Sequence, residues 1–290
     1  MKITSDLVRR LVDTQFPEYR ELPIWPVEKS GHDNRTFHLG DEYLVRLPSD
    51  IAYAEHVALE LKWLPYLQEH LDFEISAPIA SGKPAEGYPL PWSIGRWIIG
   101  ETVTHENVAD EKQLAQDLNA WLSKLQQVPA KEGPAAGKHN FYRGGDLSVY
   151  DQETQEALTE LLPVLGAEKI QACRSIWQEA LSSSWKQEPV WVHGDVAVGN
   201  LLVRDGRLSA LIDFGTCAVG DPACDYVMAW TFFDQEARQI FLAGLDDAVI
   251  SRAKGWALWK ALITYVDENP EFEVLSRVVL KALLEEDGKC

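Results

Sequence analysis

The chain has 290 residues, of which 46% are hydrophobic and 25% charged, a composition typical of a globular protein whose core needs no metal or crosslink. Its 27 Lys and Arg against 45 Asp and Glu give a net charge of -18, which disfavours nucleic acid as a partner. No stretch stays apolar over the roughly 18 residues that span a bilayer. The four cysteines (Cys173, Cys217, Cys224 and Cys290) lack disulfide-like or zinc-ligand spacing, so we expect a cytoplasmic protein with reduced thiols and no membrane partner.

The chain up to Gly100 predicts a small sheet accompanied by helices. The opening run MKITSDLVRRLVDTQF carries charges where a secretion signal would be uninterruptedly apolar, so it indicates an amphipathic helix. Three short runs follow, IWPVEK, RTFHLG and EYLVRL, and the turn-rich segments between them favour an antiparallel meander. A helix is expected from Ile51 to Leu71 with a kink at Pro65, and WSIGRWII indicates a buried strand.

The rest of the chain is mostly helical in pattern. Apolar residues at helical spacing predict helices over 108–128, 151–162, 167–183, 222–243, 246–266 and 273–286. A β-hairpin is expected among them, formed by NLLV, the turn RDGR and LSALI. The sequence therefore predicts an α+β chain with two lobes, a small antiparallel sheet with one long helix over 1–99 and a larger helical lobe over 100–290.

Polar side chains stand at both ends of this hairpin. His193, Asp195 and Asn200 precede its first strand and Asp213 follows its second, so folding of the hairpin should bring them to one rim. Two neighbouring carboxylates are costly unless a cation or a proton separates them. Asn200 and Asp213 offer the hard oxygen ligands that Mg²⁺ prefers, while Asp195 remains able to accept a proton.

The order and spacing of these residues match a known catalytic pattern. H-x-D-x-x-x-x-N followed by D-F-G is the arrangement of the kinase catalytic loop and metal motif. A single aspartate after a strand is more often a helix cap or a turn former, and D-F-G alone is common. The complete pattern at hairpin distance favours phosphoryl transfer over that structural interpretation.

Around these motifs the chain resembles the aminoglycoside phosphotransferase-like kinases over nearly its whole length. The similar segments include GHDNRTFHL, YLVRLP, LELKWLPYL, GYPLPWSIGRWIIGE, GDPACDYVMAW and GWALWKALI. The resemblance implies a bilobal, protein-kinase-like fold with an N-terminal nucleotide-binding lobe and a C-terminal catalytic and substrate lobe. It also implies that Asp195 is the catalytic base, that Asn200 and Asp213 bind Mg²⁺, and that His193 supports the catalytic loop.

The resemblance also points to nucleotide-binding residues. The third strand of this fold offers a lysine to the phosphates, and here YLVRLP has Arg46 at that position. Its helical partner would be Glu55 or Glu60, since both have apolar neighbours at helical spacing, and the resemblance of LELKWLP selects Glu60. The loop SGHDNRT lacks G-x-G-x-x-G, so backbone and Ser or Asn donors would cover the phosphates. The nucleotide base is expected against RWIIG, near Trp97 and Ile99.

Other residues of the helical lobe have structural interpretations. Asp221 and Asp225 of GDPACD are expected mainly to cap the helix that starts near Pro222. Three tryptophans fall among apolar neighbours and are expected in the core: Trp230, Trp256 and Trp259. Acidic residues in segments that could line a substrate cleft favour an amine on the acceptor, unless the net charge serves solubility alone: Asp225, Asp234, Asp267, Glu268 and Glu271.

The sequence thus favours an enzyme that moves the γ-phosphoryl group of ATP or GTP, with Mg²⁺, to a hydroxyl of a small and cationic molecule. The alternative is a kinase-shaped nucleotide-binding or regulatory protein with little transfer activity, suggested by Arg46 and the glycine-poor loop. A protein kinase is disfavoured because Gly194 replaces the arginine of H-R-D and no A-P-E follows D-F-G.

Overall fold

The structure of the chain is a computed structural model that describes residues 2–28, 34–130 and 132–286. It divides into two compact units. The first comprises Met1–Glu101 with Ser209–Gly215, and the second comprises Thr102–Leu208 with Thr216–Cys290. Among the described residues, no helix combines the length and apolar character needed to cross a membrane.

The first unit is built on a five-stranded sheet of order β1-β2-β3-β6-β5, in which neighbouring strands are antiparallel. The predicted meander of three strands is confirmed, and WSIGRWII supplies the buried strand β6. The elements of this unit are α1 (Ser5–Gln15), β1 (Ile24–Pro26), β2 (Asn34–Leu39), β3 (Tyr43–Pro48), α2 (Ala54–His70), β4 (Glu74–Ile75), β5 (Pro78–Gly82) and β6 (Trp92–Arg96).

The core of this unit lies between α1 and one face of the sheet. Thr4 caps α1 by accepting a hydrogen bond from the Leu7 N–H, and the helix then buries one apolar stripe. The side chains that share this core are Leu7, Val8, Leu11, Val12, Phe37, Leu39, Val45, Leu47, Tyr88, Leu90, Trp92 and Ile94. Burial of each large apolar side chain contributes about 1.5–3 kcal/mol to the free energy of folding. This packing therefore stabilises the sheet, whose strands also carry polar residues.

Helix α2 runs from Ala54 to His70 and continues through Pro65, where the sequence predicted a kink. Its buried positions include Val57, Glu60 and Leu64, and these recur at helical spacing against β5 and β6. One of the buried residues on this stripe is therefore a carboxylate, which requires a partner.

The second unit is mostly helical, as predicted. The predicted helix over 222–243 is interrupted, because Asp234 caps a new helix by accepting from the Ala237 N–H. The elements are β7 (Glu101–Thr102), α3 (Glu111–Gln127), α4 (Asp151–Glu160), α5 (Leu162–Leu165), α6 (Ala167–Leu181), β8 (Val190–Val192), β9 (Leu201–Arg204), β10 (Arg207–Leu211), β11 (Ala218–Gly220), α7 (Met228–Thr231), α8 (Gln235–Phe241), α9 (Asp247–Ile263) and α10 (Pro270–Glu286).

Helix α9 lies at the centre of this unit and packs against α6, α4 and α10. Gly255 allows the close approach to α6, because a Cβ there would lie 2.6 Å from the Ala180 Cβ and 2.4 Å from Leu147 Cδ2. The predicted core tryptophans are buried, Trp230 and Trp256 at 1% and 0% exposure and Trp259 at 5%.

The predicted hairpin of β9 and β10 turns at Asp205 and Gly206, whose φ angles of 53° and 77° suit a tight hairpin turn. The end of β10 pairs in parallel with β4, with Ala210 opposite Glu74 and Leu211 opposite Ile75. The sequence placed residues 209–215 in a helical lobe over 100–290, whereas this pairing includes them in the first unit.

Candidate active site

Arg46 on β3 bridges two carboxylates of the first unit. Its Nη1 lies 2.9 and 3.1 Å from the two carboxylate oxygens of Glu60 on α2, and its Nη2 lies 2.7 Å from Oδ1 of Asp213. The side chains of Arg46 and Glu60 are 12% and 4% exposed, whereas that of Asp213 is 42% exposed. The planar guanidinium fork can serve both acceptors at once, which a lysine ammonium does less specifically.

Burial and charge act in opposite directions within this network. Burial by itself would lower the pKa of Arg46, but the Glu60 and Asp213 carboxylates outweigh burial and raise that pKa, so the guanidinium stays charged. Burial raises the pKa of Glu60, and the Arg46 charge opposes that rise. The network thus keeps a buried cation and places one partner, Asp213, where its carboxylate is still partly exposed.

The backbone at Asp213 holds an uncommon conformation. Its φ of 63° lies in the left-handed region, and its N–H donates to the Ser76 hydroxyl oxygen over 3.2 Å. Phe214 is fully buried beside it. A Cβ on Gly215 would lie 3.1 Å from Nδ1 of His56, so the D-F-G segment fits closely against α2.

In the second unit, Asp225 and His193 support the loop that carries Asp195. The Asp225 carboxylate accepts the backbone N–H groups of His193 and Gly194, each over 2.7 Å. His193 in turn accepts the Asp195 N–H at Nδ1 over 3.1 Å. Asp225 and His193 are both 0% exposed, whereas Asp195 is exposed. Burial raises the pKa of Asp225, and these backbone N–H donors oppose the rise.

Asn200 is oriented toward Asp195. Its Nδ2 donates to the Asp195 backbone oxygen over 2.9 Å and to Asp195 Oδ2 over 2.8 Å. The amide nitrogen is therefore engaged, and the amide oxygen Oδ1 is the atom of Asn200 that remains to accept a ligand. The same contact fixes the Asp195 carboxylate through one of its two oxygens.

Gly194 cannot readily be any other residue. Its φ is +85°, and a Cβ there would lie 2.5 Å from the Thr216 backbone oxygen and 3.1 Å from the Arg143 Cβ. An arginine at this position, as in H-R-D, would collide with both neighbours. The departure from the protein-kinase motif thus has a steric reason within this chain.

Residues expected near the nucleotide base have mixed surroundings. The Trp97 N–H already donates to the Glu42 oxygen over 2.8 Å, and the side chain is half-buried. Ile99 is 67% exposed.

The predicted phosphate-covering loop SGHDNRT spans residues 30–36, and its residues 30–33 lie outside the described residues. Of the two glutamates that could pair with Arg46, Glu60 contacts it, whereas Glu55 is exposed.

Two predictions for GDPACD have different outcomes. Asp221 caps the 3₁₀ helix Pro222–Tyr226 by accepting from the Ala223 N–H, as expected, and also pairs with buried Arg252 over 2.6 Å. The expectations that Asp225 caps this helix or lines a substrate cleft are wrong, because its buried carboxylate accepts backbone N–H groups of the loop that carries Asp195. Spacing alone gave no signal for that contact, since the partners are 31 and 32 residues apart.

Cysteines and metal-like clusters add no further site. Cys173, Cys217 and Cys224 are buried and form no disulfide within the described residues, and Cys290 lies outside them. Within the part of the chain that the structure describes, no group of three or more His, Cys, Asp or Glu residues forms a metal-binding cluster.

Comparison with known proteins bears on both fold and family. The family model "phosphotransferase enzyme family" matches residues 26–262. The uncharacterized protein YcbJ of Bacillus subtilis (strain 168) is 23% identical over 245 residues, which cover 79% of this chain and 74% of that protein.

Solved structures support the predicted kinase-like fold class. The GDP complex of wild-type aminoglycoside 2'-phosphotransferase-IIIa has a TM-score of 0.76 at 18% identity, covering 98% of this chain and 100% of that chain. The macrolide 2'-phosphotransferase MphH from Brachybacterium faecium has a TM-score of 0.61 at 19% identity, covering 93% and 97%. At such low identities the solved structures support the fold alone, whereas the family model shows to which family the chain belongs. Because that model covers most of the sequence, from residue 26 to residue 262, the chain belongs to the phosphotransferase enzyme family.

Proposed function

We propose that this protein transfers the γ-phosphoryl group of ATP or GTP to a hydroxyl group of a small molecule, with Asp195 as the base. The observation that carries the proposal is the way in which neighbouring residues hold the loop that contains Asp195. Buried Asp225 and His193 hold its backbone, while the Asp195 carboxylate itself stays exposed and is oriented by Asn200. A fixed and accessible carboxylate is what proton transfer from a substrate hydroxyl requires.

Arg46 and Glu60 are proposed to act on the nucleotide. Arg46 would contact the phosphates, and its pairing with Glu60 supports that role because the pair sets the direction of the guanidinium. Trp97 and Ile99 are proposed to lie near the base, and His193 to support the loop. These roles make Arg46 the functional counterpart of the strand lysine used by other kinases.

Asn200 and Asp213 are the residues that would hold Mg²⁺. The oxygen chemistry fits, since Asn200 keeps its amide oxygen for a ligand and the Asp213 carboxylate is 42% exposed. When bound, Mg²⁺ would neutralise charge on the phosphates. Asp213→Ala should remove Mg²⁺-dependent nucleotide affinity, measured by titration with and without the metal, and Asp213→Ala protein that bound Mg·ATP like the parent would refute the assignment.

The first experiment is a screen for Mg²⁺-dependent ATP or GTP consumption with hydroxylated amines, sugars and antibiotics. With an acceptor in hand, Asp195→Ala should lower kcat by about 10²–10⁴-fold and leave nucleotide affinity largely intact, because the base acts on the acceptor. Glu160→Gln, an exposed acidic change on α4, is the matched control and should have no effect. Equal losses of binding and turnover would contradict the role of Asp195.

A nucleotide-binding protein with little transfer activity is the second candidate. It is favoured by the fact that Arg46 already contacts two carboxylates, so nucleotide phosphates must compete for its donors. Nucleotide binding without turnover of any acceptor in the screen would support this candidate over the enzyme.

An amine on the acceptor remains a proposal from the acidic residues of the second unit, now without Asp225. Asp234, Glu268 and Glu271 are exposed and Asp267 is partly exposed. Attraction of an amine by such residues is screened by salt over about 10 Å at 0.1 M. The acceptor's kcat/KM should then fall as ionic strength rises, and salt-insensitive kinetics would exclude this feature of the acceptor.

A further inference from the structure

Arg143 is a half-buried arginine whose guanidinium has no polar partner among the described residues. It lies between α3 and α4, with its guanidinium carbon 5.0 Å from the ring centre of Trp256 and 5.3 Å from that of Trp259. Across the described residues it forms no side-chain hydrogen bond and no ion pair within 4.0 Å. A cation–π contact gives the guanidinium no oxygen acceptor, so its N–H donors can still form hydrogen bonds with a ligand.

The backbone that carries Arg143 is fixed on both sides. Asn140 is 0% exposed, and its Nδ2 donates to the Arg143 oxygen over 2.8 Å and to the Thr216 oxygen over 3.1 Å. Phe141 and Tyr142 both have a φ of 53°, in the left-handed region that such side chains rarely adopt. A strained, fully hydrogen-bonded turn of this kind holds Arg143 in place before any ligand binds.

Lys260 is a second cation without an ion pair among the described residues. With Arg143, Trp256 and Trp259 it makes up the Arg143 cluster. It follows Trp259 on α9, and across the described residues no carboxylate lies within 4.0 Å of its ammonium. Desolvation and the Arg143 charge lower the pKa of Lys260, while Asp195, Asp267 and Glu153 oppose that change. Lys260 is exposed, so its ammonium is accessible to a ligand.

The cluster also adjoins the loop that carries the proposed base. A Cβ on Gly194 would lie 3.1 Å from the Arg143 Cβ, so Arg143 packs directly against the residue before Asp195. Within the same group, the buried Nε1 of Trp256 has no hydrogen-bond partner in the described structure. Trp256 itself is fully buried, whereas Arg143 is half-buried and its side-chain donors have no hydrogen-bond acceptor among the described residues.

We propose that Arg143 and Lys260 bind an oxyanion, a phosphate or carboxylate group, carried by the acceptor molecule. The assignment of this oxyanion to the acceptor rests on the proposed function, whereas the oxyanion site itself does not. Arg143 would bind the oxyanion through its in-plane donors and Lys260 as a point charge. The acceptor would then combine a hydroxyl near Asp195 with an anionic group next to it, and an amine elsewhere on the molecule is compatible with this arrangement.

The test is calorimetric titration of the full chain with inorganic phosphate, in the presence and absence of a saturating non-hydrolysable Mg·ATP analogue. Arg143→Gln should weaken phosphate binding at least 10-fold in both conditions, and Arg143→Lys should restore it only in part because the fork is lost. Arg204→Gln is the matched control, since Arg204 is exposed on β9 and has no described partner, and it should change affinity less than two-fold. Circular dichroism of each variant checks the fold.

Three results would overturn the oxyanion site or its assignment to the acceptor. These are a parent protein that does not bind phosphate, an Arg143→Gln variant that binds it equally well, and a variant whose affinity for the ATP analogue falls as much as its affinity for phosphate. The last result would assign Arg143 to the nucleotide instead. Phosphate binding that depends on Arg143 in a protein that phosphorylates no hydroxyl compound would keep the site and contradict the proposed function.

Discussion

Arg46 in the first unit and Arg143 in the second unit solve the problem of a partly buried cation in opposite ways. Arg46 donates to Glu60 and Asp213, and these contacts occupy both terminal nitrogens of its fork. The Arg143 guanidinium lies over the rings of Trp256 and Trp259 and has no ion pair among the described residues. Removal of a paired internal charge leaves its partner buried and unpaired, whereas removal of Arg143 breaks no such contact.

The difference follows from the neighbouring elements. Helix α2 presents Glu60 from a buried position, so the first unit could not retain that carboxylate without Arg46. Helix α9 presents indole rings instead, and these stabilise a guanidinium by about 0.5–2 kcal/mol without supplying an oxygen acceptor. The two arginines are therefore expected to respond very differently to removal.

Replacement of Arg46 should have the largest effect. Arg46→Ala leaves Glu60 buried without its cation, and loss of one partner of a buried pair costs about 3–5 kcal/mol of unfolding free energy. Arg143→Ala breaks no ion pair and should cost about 1 kcal/mol. Denaturant unfolding of the two variants measures this difference directly.

Arg46→Lys should recover part of the stability and part of the nucleotide affinity, since it keeps the charge and loses the fork. Arg252→Ala, which breaks the buried pair with Asp221, should resemble Arg46→Ala in stability and differ from it in nucleotide affinity. Equal costs for Arg46→Ala and Arg143→Ala would remove the distinction between a paired and an unpaired arginine.

A smaller loss is expected from Gly194→Ala, which tests the packing between Arg143 and the Asp195 loop. The left-handed backbone costs a non-glycine residue about 1–2 kcal/mol, and the contact with the Thr216 oxygen at 2.5 Å adds to that cost. Thermal or denaturant unfolding should therefore show a loss above about 2 kcal/mol, with a fall in turnover.

Gly166→Ala separates the two contributions, because Gly166 has a φ of +81° and no atom within 4 Å of a Cβ. It should show the backbone cost alone and leave turnover unchanged. If Gly194→Ala were no more harmful than Gly166→Ala, the loop that carries Asp195 would not be packed as closely as the structure shows.

The smallest effect concerns the pKa of Lys260. Arg143→Gln removes a neighbouring positive charge, so the Lys260 pKa should rise, and more of the ammonium should stay charged as pH increases. The rise should be only partial, because desolvation is the larger cause of the lowered pKa and persists in the variant. Side-chain NMR titration measures it, with Arg204→Gln as the control, and an unchanged Lys260 pKa would show that the two cations do not interact.

Local patterns were sufficient for much of the fold. Alternating apolar residues around RDGR predicted the hairpin of β9 and β10, since turn residues and strand periodicity act over a few positions. The amphipathic stripe of α1 predicted its buried face in the same way. The motif spacing likewise indicated Asp195, Asn200 and Asp213 as candidates, although their roles remain predictions.

Long-range packing decided what those patterns left open. Helical spacing could not choose between Glu55 and Glu60, but burial of α2 against the sheet left only Glu60 beside Arg46. Asp225 looked like a surface acid or a cap, and only the folded chain brings it to backbone groups 31 and 32 residues away. The sequence by itself determined the helices, strands and motif positions because these depend on near neighbours. Which charges are paired inside the chain and which stay unpaired was decided by contacts between distant segments, and the lone Arg143 beside Trp256 is the clearest case.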